Sequence, residues 1–282
     1  MRRTPISIEN KKRETETAPM LLAVDVGNTN TVFGLCDPTA SHVLVTWRAA
    51  TRPDQMPDEW YAILAPLLAG SGFAVGNIQA AIVSSVVPSV TRWLSAMCRE
   101  RLHLEPIIVG VDLDLGLRVL MDNPGEVGAD RLVNSVAAYH RYGGPCIAID
   151  FGTATNFDVV SAEGDYLGGA LAPGMIIALE ALAGRAARLF SVDLVLPPRA
   201  IGKNTITAMQ SGLVLGYLAM IEGMVTRIQE ELGTPATVVV TGGYAEIFAA
   251  ASPLIAHHDP DLTIDGLRLV YQRVTASSLA AP

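Results

Sequence analysis

The sequence predicts an α/β protein made of two similar halves, and three observations carry the prediction. Two apolar runs lead into near-identical polar turns: Leu21–Val24 into DVGNTNT (Asp25–Thr31), and Cys146–Ile149 into DFGTAT (Asp150–Thr155), 125 residues later. After each turn the chain reads as a strand meander and then as alternating helix and strand, the pattern of a layered α/β unit. Its 282 residues are half hydrophobic and only 17% charged, enough for two cores of ordinary size.

The elements follow in order. Leu21–Val24 and Val32–Leu35 form a hairpin whose tip, Asp25–Thr31, carries short polar side chains around Gly27. His42–Ala49 is a third strand, and Asp58–Ala69 has helical spacing with Trp60, Ile63, Leu64 and Leu67 on one face. Ile78–Val83 is a strand that Pro88 closes; Ser89 caps a helix to about Leu102, and Glu105–Val109 is a short strand. A turn at Asn123-Pro124-Gly125 precedes a helix starting near Glu126–Asp130 and running to about Tyr142, with Leu132, Val133, Val136 and Tyr139 inward. The second half repeats the hairpin, adds a strand at Tyr166–Ala170, and then a helix near Ile176–Arg188 after APGM. Thr205–Leu232 is one long helical stretch or two helices, Val238–Val240 is a strand leading into TGG, and Gly266–Arg273 is a last apolar segment before a frayed tail, Thr275–Pro282.

Composition excludes several functions. Net charge is −8, and the first nineteen residues hold five basic and three acidic groups, so the body is more acidic still. An acidic body argues against a nucleic-acid partner, which needs a basic face. Cys36, Cys98 and Cys146 are odd in number and far apart, as expected of reduced, buried thiols in a cytoplasmic protein. The five histidines form no metal-ligand pattern, and His257-His258 reads as solvated loop. Residues 1–19 lack an apolar core and read as a disordered tail or as sequence upstream of a true start at Met20. Gln210, Glu222 and Arg227 interrupt the apolar stretch 205–232, so no membrane span is expected. Gly212 and Gly216 lie on one face of it, where they serve either packing within the chain or a homodimer interface.

The chemistry points to phosphate. P-loop, dinucleotide-fold and nucleophile-elbow patterns are all missing. What stands out is a pair of glycine hairpins whose N–H groups can converge on an anion, three acids (Asp25, Asp130, Asp150), and Arg131. That set suits phosphoryl transfer to a hydroxyl, which needs positioning and charge neutralisation more than covalent chemistry. One carboxylate takes the acceptor's proton, and another organises Mg²⁺ through water.

Seven strings, DVGNTNTVFGL, SSVVP, NPGEVGADR, DFGTAT, GGALAPGM, GKNTITAMQSG and TGG, occur in one order. On these the chain resembles the type III pantothenate kinases, of the superfamily of acetate and sugar kinases, actin and heat-shock chaperones. The resemblance runs from Met20 to about Arg273. It implies two ribonuclease-H-like (actin-like ATPase) domains with mixed sheets flanked by helices, 20–143 and 144–282, with ATP between them. It implies that Asp25, Val26, Gly27, Asn28, Thr29, Asn30, Thr31 and Val32 form the first phosphate loop, with Thr153 on an ATP phosphate. Asp130 would be the general base. Gly128, Ala129, Asp130 and Arg131 would hold pantothenate, Arg131 pairing with its carboxylate, and Thr205 would contact pantothenate from the partner of a homodimer. Asp150 would bind a monovalent cation, K⁺ or NH₄⁺, beside the Mg²⁺ that accompanies ATP. Met121 stands where the family usually has a pantothenate-contacting tyrosine, and Asn156 replaces a frequent threonine. The expected activity is ATP-dependent phosphorylation of pantothenate, the first step toward coenzyme A. Two other readings are a catalytically silent relative, against which the retained acids argue, and a kinase for another small hydroxy acid, which Met121 allows.

Overall fold

The structure is a computed structural model that describes residues 19–38, 42–185 and 192–280. Nearly all of the tail, and the end of the helix expected to reach Arg188, lie outside the described residues. The chain divides into two compact units. One takes the described part of Met1–Leu115 with Gly128–Val133 and Ile264–Pro282; the other takes Gly116–Val127 and Asn134–Thr263.

The first unit is built on β1 (Met20–Val26), β2 (Asn30–Cys36), β3 (Val43–Ala50), β4 (Ile78–Ser85) and β5 (Ile107–Ile108), in the order β3-β2-β1-β4-β5. The meander β1–β2–β3 is antiparallel, and β4 and β5 add in parallel on the free side of β1. The second unit repeats this with β6 (Cys146–Phe151), β7 (Ala154–Val160), β8 (Tyr166–Pro173), β9 (Thr237–Gly242) and β10 (His257–His258), in the order β8-β7-β6-β9-β10. Each is the ribonuclease-H-like order, a three-stranded meander extended by two parallel strands. The duplication expected from the two hairpins is therefore present at the level of topology.

Helices cover these sheets. In the first unit α1 (Pro57–Gly70) and α2 (Pro88–Met97) place Trp60, Leu64, Leu68, Val90 and Leu94 against Leu22, Val24, Phe33 and Leu35. Of the expected face, Trp60 and Leu64 are buried while Ile63 and Leu67 are half-buried; the buried stripe steps instead through Pro57, Trp60, Leu64 and Leu68, near the helical period. Pro88 does not close a strand. It occupies the first helical turn, where its missing N–H costs nothing, so Val87 and not Ser89 is the cap position. In the second unit α4 (Met175–Arg185), α5 (Thr205–Gln210), α6 (Gly216–Leu232) and α7 (Ala245–Ala251) face Ile147, Ile149, Phe157, Val238 and Val240. A π-helical turn, Ser211–Leu215, joins α5 to α6.

Two helices remain. α3 (Ala129–Tyr142) runs from one unit into the other; its buried side chains include Leu132, Val133, Ala137 and Ala138, whereas the expected Val136 and Tyr139 are half-buried. α8 (Leu262–Ala280) corrects the expectation of a short apolar segment with a frayed tail. It docks on the first unit. Ile264 lies so close to β2 that a Cβ on Gly34 would stand 2.2 Å from Ile264 Cγ2, and Gln272 donates to the Pro38 carbonyl at 2.7 Å. Within α8, Asp265 and Arg268 form a buried ion pair at 2.7 Å, satisfying two charges that could not be left alone there. All three cysteines are free and buried, as expected.

Candidate active site

Both Asp-containing turns are tighter than the sequence indicates. β1 continues through Val26 and β2 resumes at Asn30, so the tip is Gly27–Thr29 and Asp25 stands within the last pair of β1 rungs, opposite Val32. The Gly27 N–H closes the turn on the Asn30 carbonyl at 2.9 Å. Asn28, Thr29 and Asn30 are exposed, and Thr31 is fully buried.

Thr51, which sequence reasoning passes over, braces this tip. Its hydroxyl donates to the Gly27 carbonyl at 2.7 Å and lies 2.9 Å from the Thr31 hydroxyl, while its N–H donates to the Thr29 carbonyl at 2.9 Å. No local signal reveals it, because its position depends on the register of β2 with β3, Asn30 opposite Ala50.

The GADR string opens α3 in the same unit. The Val86 N–H donates to the Val26 carbonyl at 3.1 Å, and a Cβ on Gly128 would lie 3.5 Å from Val86 Cγ1. Val86 thus joins the end of β1 to the start of α3, bringing the Asp25 hairpin and Gly128–Arg131 together. The Asp130 carboxylate folds back over Gly128: its Oδ1 accepts the Arg131 N–H at 2.9 Å and stands 2.4 Å from where a Gly128 Cβ would be. Any side chain at residue 128 displaces that carboxylate. Burial raises the Asp130 pKa above the ordinary 3.8, opposed by the Arg131 N–H and guanidinium. A half-buried carboxyl with raised proton affinity, held at a helix start, is suited to accepting a proton from a hydroxyl.

In the second unit Asp150 has the position of Asp25, opposite Asn156 on β7 and Thr241 on β9. The Asn134 amide donates to Asp150 Oδ2 at 3.4 Å. Gly242, with φ +95°, makes room for the carboxylate, since a Cβ there would lie 2.6 Å from Asp150 Oδ1. The first glycine of TGG therefore serves Asp150, while no described atom lies within 4 Å of a Cβ on Gly243. Thr153 sits at the hairpin tip, its carbonyl accepting the Gly174 N–H at 2.9 Å, so the APGM turn backs that tip.

Met121 is held beside β8. Leu120 donates to the Tyr166 carbonyl at 2.8 Å, and the Met121 sulfur fills the space over Gly168, 2.9 Å from a Cβ placed there. Thr205 is exposed at the first turn of α5, on a cavity of about 490 Å³ lined also by Leu182, Ala208, Met209, Gly212 and Leu213. His257-His258 form a short exposed edge strand rather than loop; the His257 ring stacks on Tyr142 at 4.2 Å. Among the described residues there is no cluster of three or more His, Cys, Asp or Glu able to hold a metal.

Residues 21–227 match a family model described as type III pantothenate kinase. A type III pantothenate kinase of Thermomicrobium roseum is 48% identical, covering 92% of this chain and 99% of the relative. Those of Moorella thermoacetica (48%, covering 91% of this chain and 100% of the relative) and Rhodospirillum rubrum (49%, 90% and 98%) are as similar. Among solved structures, a Baf family protein from Campylobacter jejuni superposes with a TM-score of 0.58 at 17% identity, over 90% of this chain and 99% of that one. The ethanolamine utilization protein EutJ from Carboxydothermus hydrogenoformans gives a TM-score of 0.52 at 14% identity, over 89% and 90%. These two structures bear on the fold alone.

Proposed function

The chain belongs to the type III pantothenate kinase family, and from that premise we infer that it is a pantothenate kinase: it transfers the terminal phosphoryl group of ATP to the hydroxyl of pantothenate, giving 4′-phosphopantothenate, the first step of coenzyme A biosynthesis. The carrying observation is near-half identity to such kinases over about nine-tenths of the chain.

Residue roles build on the geometry of each unit. Asp130 is the general base; its raised proton affinity and its place over Gly128 support this. Arg131 pairs with the pantothenate carboxylate, and Gly128 and Ala129 complete that wall. Asp25 to Val32 bind the ATP phosphates: the exposed tip Asn28–Asn30, braced by Thr51, offers N–H groups and short polar side chains. Mg²⁺ would come with the nucleotide and neutralise phosphate charge, and Asp25 is the carboxylate that would help to hold it. Thr153 meets an ATP phosphate from the second hairpin. Asp150 holds K⁺ or NH₄⁺; its surroundings fit, since Asn134 and Asn156 adjoin it and no cluster of three or more acids lies among the described residues.

The protein works as a homodimer, with Met121 and, from the partner subunit, Thr205 contacting pantothenate. Leu171, Ile176, Ile177, Leu182, Ile201 and Ile206, all in the second unit, are exposed apolar side chains. Gly212, Gly216 and Gly223 have no described atom within 4 Å of an added Cβ, so close packing among the described residues does not explain them. The stretch Thr205–Leu232 is long and apolar enough to cross a membrane, by length and composition, yet only 33% of its most apolar window is buried. A second subunit covering this face accounts for all three features. Free buried thiols support a cytoplasmic setting.

A coupled assay with purified protein, ATP, Mg²⁺ and K⁺ tests the reading. ADP release should require pantothenate. Release with another small hydroxy acid, and none with pantothenate, would assign the site to that acid instead.

A further inference from the structure

Asn134 lies on α3 one helical turn beyond Asp130, and it is 1% exposed. Its Nδ2 donates to Asp150 Oδ2 at 3.4 Å. That bond fixes which way the amide faces, because turning it over would set Oδ1 against a carboxylate oxygen. Oδ1 is then buried with no hydrogen-bond partner among the described residues. An unanswered buried amide oxygen costs roughly 1–3 kcal/mol. A side chain serving packing alone would avoid that cost, since an apolar residue has no oxygen to leave unanswered.

A second oxygen repeats the pattern. Asn156, the ladder partner of Asp150, is 9% exposed, and its Oδ1 is also buried without a partner among the described residues. Directly paired residues share one face of a sheet, with Cβ atoms about 4.5–5.5 Å apart. Among the described residues, then, two buried amide oxygens without a donor belong to the two asparagines that adjoin this carboxylate, one through its Nδ2 and one as its ladder partner.

We propose that Asn134 is a positioning residue for phosphoryl transfer: it holds the Asp150 carboxylate through Nδ2 and presents Oδ1 to the cation that Asp150 binds, with Asn156 supplying a second neutral oxygen. This rests on the kinase reading above. These three ligands, one carboxylate and two amide oxygens, carry one negative charge, which suits a monovalent ion better than a divalent one; the nearby buried Asp158 is engaged by the Tyr166 hydroxyl at 2.9 Å.

The test uses the full chain as Asn134→Leu and Asn134→Asp beside wild type, titrated with KCl in a choline chloride background. Two readouts run in parallel: melting temperature, and kcat with KM for ATP and for pantothenate. Wild type should melt higher as K⁺ is added. Asn134→Leu should raise the K⁺ midpoint at least ~10-fold and lower kcat about 10–100-fold, the usual effect of losing a partner that orients a ligand. KM for pantothenate should stay within about three-fold, because Asn134 acts on the cation side. Asn134→Asp keeps the shape and an acceptor but loses the donor to Asp150, and should also move the K⁺ midpoint, which keeps the test available if the leucine variant does not fold. A wild type that does not respond to K⁺, or variants that melt lower yet keep the wild-type midpoint and kcat, would overturn the proposal. A wild type that responds to K⁺ in melting but makes no ADP with pantothenate would instead overturn the kinase reading, leaving the cation result standing.

Discussion

At the scale of single residues, Asp130 and Gly128 form one device. The carboxylate lies where a Gly128 side chain would be, 2.4 Å from a Cβ built there. Gly128→Ala should therefore push the Asp130 carboxylate out of place while leaving the fold nearly untouched, because the atom in conflict is a side-chain oxygen. Kinetics should show kcat/KM down about 10–100-fold, since misplacement by an ångström costs of that order; a wild-type rate would show the carboxylate position to be unimportant. Asp130→Asn should cut turnover by at least ~10² while ATP still binds. Its stability effect has a definite sign. Burial raises the folded pKa above 3.8, so the folded state holds the proton more tightly than the unfolded chain. The stabilisation from protonated Asp130 is full below the unfolded value and lost as pH rises through the folded one. Asp130→Asn should thus melt above wild type at pH 7, with the gap closing as the buffer approaches pH 4. In wild type the acid limb of kcat/KM should lie above 3.8.

At the scale of elements, the hairpins are the most legible feature. Apolar runs ending in Asp-x-Gly mark the strands β1 and β6 and their mates, and the repeated turn signals the duplication that the strand order shows. Strand ends read short, because Asp25 and Asp150 look like turn residues although they stay in register with Val32 and Asn156. Pro88 reads as a stop although it is a start, since a proline can end one element or open the next. The helix α8 escapes the sequence because its polar half hides the period and its docking depends on long-range contacts: Ile264 on Gly34 and Gln272 on Pro38. Thr51 is invisible for the same reason, since only strand register carries it to the tip. The docking of α8 can be tested by a double-mutant cycle. Gly34→Ala should destabilise by about 1–3 kcal/mol through overpacking, and Ile264→Ala by about 2–5 kcal/mol through the cavity it leaves. The double variant should be more stable than the sum by roughly 0.5–3 kcal/mol in denaturant melts. Simple additivity would mean that the two positions do not meet.

At the scale of the whole molecule, the open glycines of α6 and the exposed apolar side chains of the second unit call for a partner, and a second copy of the chain is the one proposed. Sedimentation should give twice the monomer mass for wild type. Gly216→Trp, placed on the open glycine face, should give monomers that remain folded. Sharing of Thr205 across subunits has its own test: co-expressed Asp130→Asn and Thr205→Ala chains should regain activity in mixed dimers, and no recovery would assign Thr205 to its own chain's site. The acidic body and the retained acids fit a small anionic substrate met by local N–H groups and Arg131 rather than by net charge. Whether these parts make a pantothenate kinase is tested most directly by ADP production from purified wild type with ATP, Mg²⁺ and K⁺, with and without pantothenate: turnover should occur only when pantothenate is present, with one 4′-phosphopantothenate formed per ADP, and folded protein releasing no pantothenate-dependent ADP would contradict a pantothenate kinase.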